Sequence, residues 1–261
     1  MLKVGLWATE NESVDDIVKN LKANYEFVAP DDADTILVIG GDGSLLRAMR
    51  KLHQRANDVQ FYGINAGSHG FLMNRFIDGE TIAMPQIIEK MKKARKITFP
   101  TLWVRAELTD GTIYENFAIN EISVSRNSPQ AIKMKLSLDG HDRISNMVGD
   151  GMLLATPQGS TAYNFACNGP ILPLGSSLLA LTPVSLFRPR RWPGAVLRSE
   201  TTIDIELQEY EKRPGTVAVD SIGGGTVKKL AMSSHAALQF CLLVDKTYDL
   251  EERIILEQFE M

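Results

Sequence analysis

Apolar and polar positions follow two different patterns along the chain. Over the first hundred residues, short apolar runs typical of strands alternate with segments in which apolar residues recur at helical spacing. The predicted strands are 3–8, 34–39 and 60–65, and the predicted helices are 12–25, 44–52 and 81–94. This alternation favours an α/β layer built on a parallel sheet.

Beyond Pro100 the pattern becomes that of antiparallel strands. Asp110-Gly111 and Asp139-Gly140 each stand between alternating or β-branched runs, which is typical of hairpin turns. Strand-like runs continue to residue 244, and the segment 248–259 then returns to helical spacing.

These patterns predict a fold of class α/β + β. We expect an N-terminal Rossmann-like α/β domain over 1–98 and a C-terminal β-rich domain over 99–246. The C-terminal segment, 247–261, is expected to return to the first domain and pack against it.

Composition and charge restrict the partners. Of the 261 residues 44% are hydrophobic, and the formal net charge is −4. A mildly acidic chain has no general electrostatic attraction for nucleic acid or for an anionic membrane, so we expect neither as a partner.

Cysteine and histidine usage restricts the compartment and the metals. Cys167 and Cys241 form no CxxC motif, the four histidines show no metal-ligand spacing, and no apolar run approaches the length of a membrane span. These features predict a cytoplasmic protein without a structural zinc site.

The most informative stretch is TILVIGGDGSLLRAM, at 35–49. An apolar run leads into Gly40-Gly41-Asp42-Gly43 and then into a helical pattern that starts at Ser44. Ligands of open α/β sheets bind beyond the carboxyl ends of the strands, and glycines let the backbone approach an anion. Asp42 would repel phosphate, so it needs another task. It can cap the helix, hold a Mg²⁺ carried by a nucleotide, or accept a proton from an attacking hydroxyl.

A second stretch, AINEISV at 118–124, places Asn120 and Glu121 inside an apolar, strand-like run. An amide both donates and accepts hydrogen bonds and a carboxylate accepts them, so this pair can hold ribose hydroxyls. The same pair also suits a β-bulge or a polar strand edge.

A third stretch, VGDGMLLATPQGSTAYNFACNGP, covers 148–170. Small residues followed by Tyr163 predict a backbone-lined slot with one aromatic wall, although a tyrosine that merely packs at a helix start gives the same pattern. Ser160 or Thr161 would cap a helix that begins at Ala162 and offers free N–H groups to a phosphate. A serine nucleophile is disfavoured, because PQGSTA does not match GxSxG.

The order and spacing of five motifs resemble the NAD kinases over nearly the whole chain. These motifs are Gly40-Gly41-Asp42-Gly43, NAGSHGFL (65–72), Asn120-Glu121, Asp150-Gly151 and GSTAY (159–163). LALTPVSLFRPRRWPGAVL and DLEERII further resemble one shorter bacterial branch.

The resemblance implies a reaction and its participants. The γ-phosphoryl group of ATP, or of polyphosphate, would pass to the 2′-hydroxyl of the adenosine ribose of NAD and give NADP. Mg²⁺ or another divalent cation would arrive with ATP. The protein would be a homodimer or a homotetramer.

The resemblance also assigns roles to single residues. Asp42 would be the catalytic base, and Gly41 and Gly43 would present backbone to phosphate groups. Asn120 and Glu121 would hold the adenosine ribose and the adjoining adenine. The remaining predicted nucleotide contacts are Phe71 in the adenine pocket, Asp150 at the nicotinamide half, and Thr161, Ala162, Tyr163 and Ala166 around the dinucleotide slot.

Two other functions stay open from the sequence. A lipid or small-alcohol kinase with a GGDG turn would leave Asn120-Glu121 and GSTAY without a task. A non-catalytic NAD(P) sensor would leave Asp42 without one. The loop with Arg188, Arg190 and Arg191 is predicted either to clamp a phosphate or to lie at a subunit interface.

Overall fold

The structure is a computed structural model that describes residues 2–9, 12–66, 70–75 and 83–246. The chain divides into two compact units. Unit 1 comprises Met1–Phe99 and Leu238–Met261, and unit 2 comprises Pro100–Ala237. The predicted closing segment, 247–261, lies outside the described residues, as do 67–69 of the NAGSHGFL motif.

Unit 1 alternates strands and helices in chain order. Its elements are β1 (Val4–Ala8), α1 (Glu12–Asn24), β2 (Thr35–Gly40), α2 (Asp42–Lys51), β3 (Gln60–Asn65) and α3 (Met84–Lys93), with short 3₁₀ turns at Pro30–Asp32 and His53–Arg55. A longer strand, β4 (Arg95–Leu108), begins in unit 1 and continues into unit 2.

The sheet of unit 1 is parallel where β1, β2 and β3 pair. Every residue of β2 is buried, as expected for a central parallel strand that is covered on both faces. The helices contribute apolar residues to this core at helical spacing, among them Val14 and Leu21 of α1 and Ile87 and Met91 of α3. Because the strands are parallel, their carboxyl ends meet at one edge, where the turn after β2 lies.

Unit 2 is made almost entirely of strands. After β4 they are β5 (Ile113–Ala118), β6 (Glu121–Arg126), β7 (Ile132–Leu138), β8 (His141–Gly149), β9 (Gly151–Ala155), β10 (Leu178–Val184), β11 (Ala195–Arg198), β12 (Ile203–Gln208), β13 (Gly215–Val219) and β14 (Ile222–Val244). A 3₁₀ turn at Gln158–Thr161 and the one-turn helix α4 (Tyr163–Ala166) follow β9.

Antiparallel pairing organises unit 2. One series runs β14–β13–β6–β9–β10–β11, a second runs β14–β12–β7–β8, and β4 pairs with β5. Inward residues alternate with outward ones, as in Ile203, Ile205 and Leu207 of β12. The predicted hairpin turns are confirmed, because Gly111 and Gly140 both adopt left-handed backbone between paired strands.

The last strand ends in unit 1. From Leu238 onward β14 belongs to unit 1, and Cys241 and Leu242 pair in parallel with Gln60 and Phe61 of β3. A single strand thus takes part in antiparallel pairing in one unit and in parallel pairing in the other.

The predicted fold class, an α/β part followed by a β-rich part, is confirmed. Two of the differences between predicted and observed element boundaries concern the predicted site. Helix α2 begins at Asp42 and not at Ser44. The strand-like run at 118–124 is interrupted, so that β5 ends at Ala118 and β6 starts at Glu121. In the ranges that the structure describes, no helix is both long and apolar enough to cross a membrane.

Candidate active site

The glycine turn after β2 is closed so tightly that Gly40 has no room for a side chain. Gly40 adopts φ +149°, and a Cβ there would lie 2.7 Å from Ser44 Oγ and 2.8 Å from Thr9 Oγ1. The hydroxyls of Thr9 and Ser44 contact each other, and Arg47 donates to Ser44 Oγ over 3.2 Å. These contacts fix the backbone at the start of α2.

Asp42 is held by backbone donors and does not cap its helix. The N-cap of α2 is Gly41, with extended backbone, and Asp42 is the first helical residue. Its Oδ2 accepts a hydrogen bond from Phe71 N at 2.7 Å, and its Oδ1 accepts one from Leu72 N at 2.9 Å. The alternative that Asp42 merely caps the helix is therefore wrong, and the two N–H groups fix the plane of the carboxylate.

A buried amide anchors the segment that supplies these donors. The Asn74 side chain donates to Gly63 O at 3.0 Å and to Leu243 O at 3.1 Å, and it accepts from Asp245 N at 2.8 Å. Asp245 in turn accepts from the hydroxyl of the buried Tyr62 at 2.7 Å. The structure thus brings Asp42 and Phe71 together and ties their segment to β3 and β14.

In unit 2, Asn120 lies in the bend between β5 and β6, and Glu121 is the first residue of β6. The Asp220 carboxylate accepts hydrogen bonds from the backbone N–H groups of Ile119, Asn120 and Glu121, at 2.8, 2.8 and 3.2 Å. These bonds turn the backbone out of the strand, which is why the predicted continuous strand is interrupted here.

Glu121 carries a carboxyl with an unusual proton affinity. It is 6% exposed, and burial, followed by the nearby charge of Asp220, raises its pKa from the ordinary 4.5 to about 7. Within the described residues, Asn120 Oδ1 and Glu121 Oε2 are buried and have no hydrogen-bond partner. A ligand that donates hydrogen bonds to these atoms would gain binding free energy, because leaving a buried acceptor unpaired is costly.

The PQGST turn packs directly against the Asn120 backbone. A Cβ on Gly159 would lie 2.2 Å from Asn120 O, so only glycine allows this approach. Thr156 Oγ1 donates to Ile119 O at 2.8 Å, and Gln158 Nε2 donates to the same carbonyl at 2.7 Å. The two motifs GSTAY and Asn120-Glu121 therefore form one local structure.

Ser160 is a structural residue in this turn. It is completely buried, donates to Pro157 O at 2.6 Å and accepts from Leu172 N at 2.9 Å. The prediction that Ser160 or Thr161 caps a helix starting at Ala162 is wrong. A 3₁₀ turn ends at Thr161, and Ala162, with φ −95° and ψ −127°, separates it from α4.

Tyr163 is an exposed aromatic residue beside the PQGST turn, and its role as the wall of a dinucleotide slot stays a prediction. Its side chain is 40% exposed, while Thr161 and Ala162 before it are half-buried and Ala166 is exposed. Burial first, then the Cys167 thiol, raises the pKa of the Tyr163 phenol, so the hydroxyl keeps its proton at neutral pH.

Asp150 lies in the link between β8 and β9 and is ion-paired. Arg126 Nε lies 2.7 Å from Asp150 Oδ1, and the Arg126 backbone N–H donates to Asp150 O at 2.7 Å. The side chains of both residues are more than one-third exposed. The pair leaves Asp150 accessible for the predicted contact with a ligand.

Family models match both parts of the chain. The ATP-NAD kinase N-terminal domain matches residues 5–93, and the ATP-NAD kinase C-terminal domain matches residues 119–229. An NAD kinase from Hyphomonas neptunium is 38% identical over 259 residues, covering 99% of this chain and 98% of the relative. An NAD kinase from Brucella suis is 42% identical over 241 residues, covering 92% of this chain and 91% of the relative.

The chain belongs to the ATP-NAD kinase family.

Solved structures of ATP-NAD kinase relatives share the fold. A yeast NADH kinase complexed with NADH matches with a TM-score of 0.81 at 16% identity, over 99% of this chain and 87% of that one. An NAD kinase from Archaeoglobus fulgidus in complex with ATP matches with a TM-score of 0.75 at 22% identity, over 98% of each chain.

The arginine loop of this ATP-NAD kinase family member lies beside the Asp150 link. Arg188 forms an antiparallel bridge with Val148, and the Arg190 guanidinium stands 5.9 Å from the centroid of the Phe187 ring, which is 61% exposed. These contacts fit either a phosphate clamp or a subunit interface, so both predictions for Arg188, Arg190 and Arg191 remain open.

The sequence did not predict the residues that hold the candidate site residues in position. Asp220, Thr156 and Gln158 fix the bend that carries Asn120 and Glu121, and Asn74 anchors the donors to Asp42. Asp220-Ser221 lies between two strand-like runs, so a turn with a side-chain acceptor was detectable there. Thr156, Gln158 and Asn74 carry no comparable sequence signal.

Proposed function

We propose that this member of the ATP-NAD kinase family phosphorylates NAD, using ATP as the phosphoryl donor. A bond forms between the γ-phosphorus and the 2′-oxygen of the adenosine ribose, and the bond from that phosphorus to the β–γ bridging oxygen breaks. The hydroxyl proton passes to a base, and the products are NADP and ADP. One observation supports this proposal most strongly: the carboxylate of Asp42 lies in a glycine turn that suits phosphate, and the backbone N–H groups of Phe71 and Leu72 fix its orientation.

Asp42 is the proposed catalytic base. Phosphoryl transfer needs little covalent chemistry from the protein, and its main demands are positioning and charge stabilisation. A carboxylate whose plane is fixed can accept the 2′-hydroxyl proton without reorienting. Gly41 and Gly43, which flank it, have no side chain to obstruct the incoming γ-phosphoryl group.

Several residues are proposed to recognise the dinucleotide. Asn120 and Glu121 would hydrogen-bond the adenosine ribose and the adjoining adenine, a role supported by their unpaired buried oxygens. Phe71, whose N–H fixes Asp42, would line the adenine pocket. The further proposed contacts are Asp150 at the nicotinamide half and Thr161, Ala162, Tyr163 and Ala166 around the dinucleotide slot.

A divalent cation, Mg²⁺ or a similar ion, is proposed to arrive with ATP. When bound, it neutralises charge on the phosphates. A cation carried by the phosphates of ATP needs no cage of protein ligands, because Mg²⁺ is usually bound through substrate phosphates and water. In the described residues, no three His, Cys, Asp or Glu side chains gather into a metal cage.

We also propose a cytoplasmic homodimer or homotetramer, on the family resemblance. Light scattering on the purified chain would then give two or four times the monomer mass of 28.9 kDa. A mass of one monomer at micromolar concentration would contradict this.

The reaction is tested with a panel of donors and acceptors. Purified protein is incubated with ATP or polyphosphate, with NAD or NADH, and with or without Mg²⁺, and products are identified by mass spectrometry and ³¹P NMR. The proposal predicts a phosphomonoester at the adenosine 2′-position. A panel without any phosphorylated dinucleotide, or with phosphate at another hydroxyl, would contradict it.

A further inference from the structure

The turn that joins β13 to β14 carries a carboxylate that the proposed chemistry does not use. Asp220 (φ +46°) and Ser221 (φ +67°) form this two-residue connection. Hairpin turns with two left-handed residues favour Asn and Gly, because other side chains adopt this backbone at a cost. The turn tolerates this cost while placing an acidic side chain next to β6.

The Asp220 carboxylate gathers three consecutive backbone donors. Its Oδ2 accepts from Ile119 N, and its Oδ1 accepts from Asn120 N and from Glu121 N. In return, Asp220 N donates to Glu121 O at 3.0 Å. Hydrogen bonds to an ionised acceptor are about twice as strong as neutral ones, so this side chain strongly determines the path of residues 119–121.

The carbonyl groups of the same bend are held from a second direction. Thr156 Oγ1 lies within hydrogen-bond distance of both Ile119 O and Asn120 O, and Gln158 Nε2 donates to Ile119 O. Thr156 is 0% exposed and Gln158 is 2% exposed. Together with Asp220 these side chains form what we call the 119–121 clamp.

The clamp positions two side chains, each of which has an oxygen without a hydrogen-bond partner among the described residues. Asn120 Oδ1 and Glu121 Oε2 are buried without a partner among the described residues. Unpaired buried acceptors do not stabilise the fold, because their loss of contact with water is not compensated by a hydrogen bond. A rigid bend that presents two of them suits a ligand that donates hydrogen bonds.

We propose that Asp220 is a positioning residue for dinucleotide recognition. By clamping the 119–121 backbone, it sets where Asn120 and Glu121 present their oxygens to the hydroxyls of the adenosine ribose. Asp220 acts through these two residues and does not itself contact the substrate. The inference rests on the proposed function and extends it to a residue outside the predicted site.

Two substitutions test this role. Asp220→Asn keeps the shape of the side chain but replaces one acceptor oxygen by a donor that opposes the backbone N–H groups. Asp220→Gly removes the side chain and suits the positive φ, so the hairpin is kept even if the first variant fails to fold. The control is Asp139→Asn, because Asp139 also has positive φ, accepts Thr202 N at 2.9 Å and donates to Thr202 O.

The expected result is a selective loss of dinucleotide recognition. Both Asp220 variants should raise KM and Kd for NAD about tenfold or more. An increase of this size corresponds to the loss of one or two charge-assisted hydrogen bonds between the displaced Asn120 and Glu121 side chains and NAD. The values of kcat and of KM for ATP should stay within about threefold, the ordinary context dependence of unrelated sites. Asp139→Asn should leave all four constants near wild type.

The pH profile supplies a readout that a purely structural role would not move. Among the described residues, Asp220, Tyr163 and Cys167 are titratable groups that interact electrostatically with Glu121. Removing the Asp220 charge should lower the pKa of Glu121, so the pH dependence of NAD binding should shift to lower pH in both variants. The Asp139 variant should keep the wild-type profile.

Three outcomes overturn the inference. One is unchanged NAD affinity in folded Asp220→Gly, the second is a parallel loss in both NAD and ATP constants, and the third is an equal loss in the Asp139 control. Wild-type protein that binds NAD but transfers no phosphate would contradict the proposed function alone, and calorimetric NAD binding would then still decide the role of Asp220.

Discussion

At the scale of single residues, Asp42 carries the proposed chemistry. Phe71 N and Leu72 N orient its two oxygens, so the carboxylate is already positioned to accept a proton and does not need to reorient during the reaction. Backbone donors serve well here, because they cannot rotate away as side chains do.

Asp42→Asn should therefore abolish most turnover while NAD still binds. An amide cannot accept the hydroxyl proton, so we expect kcat to fall about 10²- to 10⁴-fold, the usual contribution of a general base. Steady-state kinetics and calorimetry measure the two effects separately. The matched control is Asp34→Asn, since Asp34 also accepts a backbone N–H, from Lys3. Full activity of the Asp42 variant would remove Asp42 from the base role.

Tyr163 is predicted to act on binding. The ring is 40% exposed, and its neighbour Phe165 in the same one-turn helix is 44% exposed, which makes Phe165→Ala a matched control. Tyr163→Ala should raise KM for NAD by about tenfold, within the range expected for lost aromatic stacking. Phe165→Ala should leave KM near wild type. Equal effects of the two substitutions would contradict the slot.

Glu121 makes the stability of the protein depend on pH. Its folded pKa of about 7 lies above the ordinary 4.5, so the folded state retains a proton that the unfolded chain has released. Relative to Glu121→Gln, the wild type should lose stability as pH rises from about 4.5 to about 7 and then level off, with a total of about 3 kcal/mol. Urea unfolding of both proteins at several pH values measures this difference. A difference that is constant across this window would contradict the raised pKa.

At the scale of elements, two turns decide the local geometry. The turn after β2 depends on Gly40, and the PQGST turn depends on Gly159, because backbone or side-chain atoms stand where a Cβ would be. Such close approaches bring functional groups from distant sequence positions to one place.

Gly159→Ala should disturb the Asn120-Glu121 bend. The new Cβ would stand 2.2 Å from Asn120 O and 2.5 Å from Asn120 C, so one backbone segment must move. We expect a loss of about 1–3 kcal/mol in unfolding free energy, the usual cost of overpacking, together with weaker NAD binding. Gly223→Ala is the control, since nothing lies within 4 Å of its Cβ position. Denaturant unfolding and NAD titration would contradict the account if the two variants behaved alike.

The regular elements were predictable from sequence because periodicity reports burial directly. Strand β2 is fully buried, and the buried residues of α2 and α3 recur at helical spacing. The bend at 119–120 was not predictable, since its cause is a carboxylate about a hundred positions away in the chain. The start of α2 was misplaced for a related reason. Asp42 is typical of a cap, yet its acceptors are used by Phe71 and Leu72.

At the scale of the whole molecule, the motifs identify the family, and local contacts explain why they are spaced as they are. Unit 1 groups Asp42 with Phe71, and unit 2 groups Asn120 and Glu121 with the PQGST turn. The sequence did not predict the positioning residues Asn74, Thr156 and Gln158, because a buried amide or threonine has many ordinary uses. The five ordered motifs could be recognised from the sequence, because their residue types have a defined chemistry and follow one another in a fixed order.

The central claim is that phosphate moves from ATP to NAD on this protein. The most direct test follows NADP⁺ with an NADP-specific dehydrogenase while ADP is counted in the same reaction with Mg²⁺. We expect one ADP for each NADP⁺, and loss of both in Asp42→Asn. ADP release without NADP⁺, or no product from any donor, would contradict it.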